Sequence, residues 1–235
     1  MFDTLPERVI SGRATFLQDI PVTQNGEEFK LLDMIDLLER DAAREVMLVS
    51  PYFIPSKGML EGLAAYTKRG VKVKILTTSL GSNNHTSVHS AYRKYRRKIL
   101  ATGAELYEFK HNPSEQVKSL VQSPPVDAEF ISLHAKSMIV DRDQVFIGSL
   151  NLDPRAVVLN TENGVYIESP ELGEVMGAQF DLITSPENAW RVSMDENYKL
   201  RWDSSEGTVY KQPARSGGQR VSDFFLGLIN IEDQL

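Results

Sequence analysis

Short apolar runs alternate along this chain with stretches in which apolar residues recur every three to four positions. Leu31, Met34, Ile35, Leu38 and Ala42 share one helical face, and Asn25 three residues before Glu28 forms a capping box ahead of them. A helix is therefore predicted over about 27–43. Val46-Met47-Leu48-Val49 is a buried-strand pattern ending at Ser50-Pro51. A helix over 57–69 follows, closed by Gly70, then a strand at 71–76. The polar loop Gly81-Ser82-Asn83-Asn84 leads into a single predicted helix over about 86–101, stopped by Gly103, and a strand at 105–109. This strand–helix–strand–helix–strand order predicts parallel βαβ units. Residues 111–129 hold Pro113, Pro124 and Pro125 without clear periodicity and read as a long loop. Strands are expected at 137–141, 144–148 and 164–167, then a helix over 171–183. The remainder changes character, with short strands at 190–194, 198–202 and 208–210, a hinge-like Pro213–Gly218 segment and a last helix over 221–229. Phe224, Phe225 and Leu226 of that helix are expected to dock on the core rather than enter a membrane. The organisation predicted is a leader at 1–20, a main α/β domain at 21–187 and a C-terminal appendage at 188–235.

Composition narrows the chemistry. There are 235 residues and no cysteine, which removes disulfides, thiol nucleophiles, iron–sulfur clusters and Cys-ligated zinc together. The formal charge is −6, a poor balance for non-specific nucleic-acid binding, so no nucleic-acid partner is expected. No apolar run approaches the roughly 20 residues of a membrane span. Arg93-Lys94-Tyr95-Arg96-Arg97-Lys98 is the dense basic run; on a helix it encircles most of the circumference. It reads either as a solvated face or as a contact for anionic lipid head groups.

The most specific pattern is His134-x-Lys136-x4-Asp141-x6-Gly148-Ser149-x-Asn151. His134 and Lys136 are two residues apart, so on a strand they face the same side. A histidine and a fixed cation on one face suit a phosphodiester. Lys136 would neutralise a phosphate oxygen, and His134 would attack phosphorus or move a proton. Gly148 allows close approach of the backbone, Ser149 offers a hydroxyl and Asn151 an amide donor. Asp153-Pro154 reads as the N-cap and first residue of a short helix. Asp141 has the wrong parity to join His134 and is expected to fold the turn instead. His85 and His89 are four apart at a helix start, but no third ligand accompanies them, and no metal or other cofactor is expected.

With these residues in place, the chain resembles the phospholipase D (PLD) superfamily, whose sites are built from this HKD motif. The likeness extends over about 27–183, through Val49–Pro55, Arg69–Val73, Thr77–Leu80, Val88–Tyr92, Gly103–Glu108 and Gly148–Glu162, and is to the second half of bacterial cardiolipin synthases. The resemblance implies a mixed or mostly parallel sheet with helices on both faces. It implies catalytic roles for His134, Lys136 and Glu162, with Glu162 orienting the ring of His134. It implies phosphate contacts from Lys136, Gly148, Ser149 and Asn151, and substrate contacts from Ser79, His89 and Tyr92. The activity implied is phosphatidyl transfer between phospholipids such as phosphatidylglycerol, through a phosphohistidine, at a peripheral position on the cytoplasmic side of a membrane. Family members carry two such motifs and this chain has one, so its partner would be a first half-site in a longer chain or a second copy. The alternatives are a homodimeric phosphodiesterase or nuclease, and a non-catalytic lipid- or partner-binding half.

Overall fold

The computed structural model describes residues 9–20, 31, 42–121 and 130–228. Most of the helix expected over 27–43 lies outside them. The strands are β1 (Arg13–Gln18), β2 (Glu45–Val49), β3 (Lys72–Thr78), β4 (Glu105–Phe109), β5 (Ser137–Val140), β6 (Gln144–Gly148), β7 (Asn163–Glu168), β8 (Ala189–Met194), β9 (Leu200–Ser204) and β10 (Gly207–Val209). The helices are α1 (Lys57–Lys68), α2 (Thr86–Tyr92), α3 (Arg96–Ala101), α4 (Glu115–Val121), α5 (Pro154–Val158), α6 (Pro170–Ile183) and α7 (Gly217–Leu226).

All ten strands form one sheet in the order β1-β7-β6-β5-β2-β3-β4-β8-β9-β10. The sheet is mixed, but parallel pairing is confined to β2–β3 and β3–β4 and every other neighbour is antiparallel, so "mostly parallel" does not hold. Only the two βα crossovers that the sequence pattern marked produce parallel neighbours; the long connections from β4 to β5 and from β7 to β8 join strands that are not adjacent in the sheet. The leader strand β1 pairs with β7 and the C-terminal strand β8 with β4, so both expected domain boundaries fall inside a continuous sheet.

Alternation along the central strands divides the core. Val46, Leu48, Val73, Ile75, Met138, Val140 and Phe146 face one side with Leu63 of α1 and Ile99 of α3. Met47, Leu76, Ile139 and Val145 face the other with Phe180 of α6 and Val117 of α4. Helix α4 lies within the stretch that reads as structureless. The single helix expected over 86–101 is broken into α2 and α3, because Arg96 turns inward.

Local chemistry sets the element ends. Ser56, Asp153, Ser169 and Ser216 each cap a helix by accepting from the backbone N–H three residues on. Gly70 ends α1 with φ +87°, a conformation natural only to glycine. Asp141 (φ +53°) forms the β5–β6 turn, and its carboxylate accepts from the backbone N–H groups of Ala43, Arg44 and Glu45 at 2.8, 2.7 and 2.8 Å. Burial opposes ionisation of Asp141, but these donors outweigh it and hold the carboxyl below its ordinary range. Asp141 is thus at the start of β2, the end of the sheet opposite Ser137.

Candidate active site

Register brings five chain segments to one edge of the sheet. Strands β2 and β3 end there at Val49 and Thr78, β5 begins there because Ser137 pairs with Val49, β6 ends there, and β7 begins there because Gly148 pairs with Gly164. Loops at the carboxyl ends of parallel strands are the usual place for a ligand in such sheets. His134 and Lys136 are in the extended lead into β5, and Lys136 Nζ donates to the His134 carbonyl at 2.9 Å. Ser149 and Asn151 follow β6. Glu162 precedes β7.

The Ser50–Ile54 loop is fastened to the segment after β6. Leu152 N donates to Ser50 Oγ at 3.1 Å and Ile54 N to the Leu152 carbonyl at 2.7 Å. This fastening turns Tyr52 toward the motif. Its ring meets those of His134 and His85 edge to face, with centroids 6.2 and 6.1 Å apart, and its hydroxyl donates to Asn84 Oδ1 at 3.1 Å. The sequence reading did not single out Tyr52 or His85 for this cluster. The available signal was position, since both occupy loops that leave the carboxyl ends of parallel strands.

Partial desolvation of the exposed His134 ring lowers its pKa, and the neighbouring Lys136 and His85 lower it further. Burial also lowers that of Lys136, against the opposing pull of the Glu162 and Asp153 carboxylates. The imidazole is therefore biased to its neutral, nucleophilic and proton-accepting form. The Asn151 carboxamide makes no hydrogen bond among the described residues, and its oxygen is buried. An unsatisfied buried acceptor costs about 1–3 kcal/mol, a cost that proteins concentrate at ligand sites.

Glu162 is placed differently from expectation. Its carboxylate accepts from the Ser149 hydroxyl and from Asn160 Nδ2 (3.1 Å), and no hydrogen bond links it to His134. Its backbone N–H donates to buried Asp19 at 2.8 Å, so the residue that follows β1 helps to seat it. The Ser149 hydroxyl also takes the Asn163 N–H at 3.0 Å. Ser149 and Glu162 thus form a bonded pair, and the Glu162 charge acts on Lys136. Gly148 also has a reason other than phosphate access: a Cβ there would collide with the Asn163 carbonyl on β7 and with the Phe146 ring. Asp153 is buried and caps α5 through Ala156 N at 3.0 Å.

The three expected substrate contacts are not gathered with His134. Ser79 is buried in a hydroxyl pair with Ser82, 3.2 Å apart. Tyr92 is buried and donates to Glu108 at 2.8 Å. His89 is wholly buried. Its Nδ1 is 2.9 Å from Asp223 Oδ1 and its Nε2 is 3.0 Å from Arg96 Nη2. Arginine only donates, so Nε2 accepts and the proton is on Nδ1. No ring nitrogen remains for a substrate or a metal, which removes the His85–His89 pair as a ligand set. Among the described residues, no group of three or more His, Asp or Glu gathers at one point. A cavity of about 560 Å³ lies elsewhere, lined by His111, Trp190, Tyr210, Pro213 and Arg220 and by none of the motif residues.

Burial lowers the pKa of His89, and the Asp223 bond only partly offsets this. The unfolded chain takes up that proton near pH 6.5 while the folded chain resists it, so the stability involved is present above 6.5 and lost below. The unfolding midpoint is expected to fall as the pH drops below 6.5, and His89→Gln to flatten that slope. His111 and His134 are shifted the same way and should leave a residual slope. Thermal melts of both proteins across this range decide it; equal slopes would reject the assignment.

The family model described as "Cardiolipin synthase, PLD-like domain" matches residues 34–184. This chain belongs to that family. It is 32% identical over 238 residues to cardiolipin synthase C of Escherichia coli strain K12, a match that covers 97% of this chain and 49% of that protein. An uncharacterized protein of Helicobacter pylori strain J99 is 26% identical over 220 residues, covering 93% of this chain and 41% of its own length. The PLD-like chain thus spans about half the length of these relatives. Among solved structures, the phospholipase D family member Nuc from Salmonella typhimurium has the same fold, with a TM-score of 0.52, 20% identity, and coverage of 76% of this chain and 97% of that one. Among the described residues no helix of this PLD-like protein is long and apolar enough to cross a membrane.

Proposed function

We propose that this chain provides the second HKD half-site of a phosphatidyl-transferring enzyme of the cardiolipin synthase type. The observation that carries the reading is a biased-neutral His134 grouped with Lys136 and an unbonded Asn151 carboxamide at the ligand edge of the sheet. Cardiolipin synthase C, of which this chain matches about half, supplies the substrate class.

In the first step a histidine of the other half-site attacks the phosphorus of a phospholipid such as phosphatidylglycerol. A P–N bond forms, the P–O bond to the head-group alcohol breaks, and that alcohol leaves with a proton from the protonated form of His134. In the second step a hydroxyl of the acceptor lipid gives its proton to neutral His134 and attacks the phosphohistidine. The P–N bond breaks and both histidines are regenerated. Lys136 and the Asn151 amide hold the non-bridging oxygens, whose charge grows in each transition state. Glu162 positions the Ser149 hydroxyl and balances Lys136. The reaction takes place at the membrane surface on the cytoplasmic side, with no metal in any step.

One histidine cannot be nucleophile and acid in the same step, because the first role needs the neutral form and the second the charged one. The isolated chain is therefore expected to fold, to turn over phosphatidylglycerol vesicles barely above a His134→Ala control, and to remain mostly monomeric in solution. Robust His134-dependent turnover by a strict monomer would overturn the two-histidine reading. A second reading, in which two copies pair to assemble two motifs, is favoured by the 97% coverage of the Nuc chain. It requires that turnover rise with dimer formation. A preference for DNA over phospholipid in the same assay would point to a nuclease.

A further inference from the structure

Helix α7 is built with its polarity reversed. The side chains that attach it to the protein are polar: Gln219 Nε2 donates to the Leu80 carbonyl at 2.6 Å, and buried Asp223 accepts from His89 and from Gln212 Nε2 at 2.6 Å. Its exposed side chains include an apolar stripe beside Arg220 and Ser222. Val221, Phe224 and Phe225, with Leu228 in the turn just past the helix end, are 55, 56, 61 and 70% exposed, and they follow the i, i+3, i+4, i+7 spacing of a single helical stripe. The expectation that Phe224 and Phe225 dock on the core fails because the inward positions are already taken by an ionic network. A helix that ties itself to its own protein with carboxylate and amide groups while exposing two phenyl rings is shaped for a partly apolar surrounding.

Cations border the stripe. Arg93 lies against the end of α7, paired with Asp223 at 3.4 Å and so close to Gly227 that a Cβ there would collide with its guanidinium. Arg220 is on α7 itself and is exposed. Helix α3 begins at Arg96, which is tied to His89 and Gln212, and it continues with the exposed Arg97 and Lys98. The helix also adjoins the candidate site. It is seated on Leu80, in the loop whose Asn84 bonds Tyr52 and whose His85 faces the Tyr52 ring next to His134.

We propose that α7 is a membrane-surface element: its Val221-Phe224-Phe225-Leu228 stripe enters the boundary between head groups and acyl chains of a bilayer containing anionic phospholipid. Arg93, Arg97, Lys98 and Arg220 meet the phosphates at the rim. This inference rests on the phosphatidyl-transfer reading for its purpose, which is to hold the site where a substrate embedded in a bilayer presents its phosphodiester. Short amphipathic helices with aromatic and basic residues bind interfaces in this way. A second copy of the chain fits less well. Ten helical residues extend only about 15 Å, against the roughly 800 Å² per partner that a stable dimer buries. A twofold contact here would also oppose the same cations to each other.

The test is co-sedimentation of the purified chain with phosphatidylcholine vesicles, with and without phosphatidylglycerol. The chain is expected to bind the anionic vesicles, and Phe224→Ser/Phe225→Ser to weaken binding by roughly tenfold or more while leaving the thermal midpoint unchanged. Arg97→Glu/Lys98→Glu is expected to remove the preference for anionic lipid. Undiminished binding by the serine variant would overturn the proposal. So would a wild-type dimer that the same variant converts to monomer, which would assign the stripe to a second copy. A complete two-half enzyme whose vesicle binding ignores the serine substitutions would assign it to the other half-site, again overturning the proposal. Turnover of a short-chain, monomerically dissolved phospholipid by that enzyme tests the phosphatidyl-transfer reading by itself, since no bilayer is involved.

Discussion

Replacing Glu108 by glutamine is expected to destabilise the chain by about 3–5 kcal/mol, the usual effect of leaving one member of a buried ion pair alone. Glu108 is fully buried on β4 and accepts three hydrogen bonds: from Arg96 Nε at 2.6 Å, from the Tyr92 hydroxyl at 2.8 Å and from Trp202 Nε1 at 2.9 Å. Burial would disfavour a charged Arg96, and the Glu108 carboxylate is the main group that reverses this and raises its pKa. Glutamine keeps the shape but removes the countercharge, and its amide must turn two donors toward groups that are themselves donors. Arg96 also holds His89 and Gln212, and these hold Asp223, so the disturbance reaches α2, β9 and α7. Denaturant unfolding measures the loss. A change below about 1 kcal/mol would mean that water or a rearranged partner satisfies Arg96. Arg96→Met added to Glu108→Gln is expected to recover part of the loss, because no unpaired charge then remains.

In a complete enzyme with both half-sites, His134→Ala is expected to lower turnover of phosphatidylglycerol by roughly 10²–10⁴-fold, the range for a positioned proton-transfer group. His134 is exposed, and Tyr52 is its aromatic neighbour, so the alanine variant should unfold at nearly the wild-type midpoint. A folded, inactive variant separates chemistry from stability. The pH profile adds an independent readout. Since partial desolvation, Lys136 and His85 all depress the pKa of His134, the proton-accepting form survives to lower pH than for an ordinary histidine. The acid limb of the transfer step is expected below pH 6.5. Lys136→Met removes one of the two charges responsible and is expected to move that limb upward while lowering activity. Retained turnover in His134→Ala, or a limb in Lys136→Met unmoved from wild type, would exclude His134 as the acid–base group.

The parts of this protein that its sequence determined by itself are those governed by a few consecutive residues. Apolar runs and alternation placed the core strands β2, β3, β5 and β6 to within a residue or two, and the Asp153-Pro154 cap fixed the start of α5. The HKD spacing brought His134, Lys136, Ser149 and Asn151 into view, and the parity of Asp141 placed it apart from His134. Tertiary structure decided which polar groups are buried, because each such choice is made by partners far along the chain. Glu162 satisfies Ser149 rather than His134, and Asp19, just after β1, seats it from 143 residues away. His89, expected at a substrate, is enclosed by Asp223 from 134 residues away. Arg96 lies in a run of basic residues that locally read as a solvated face or a lipid contact; a carboxylate on β4 pairs it inside, and the one helix expected there is two, α2 and α3. The reversed face of α7 follows from the same network, since a buried charge outside its pairing costs more than two exposed phenyl rings. Periodicity reports how much apolar surface an element carries. Only the surrounding charges determine which way that surface faces.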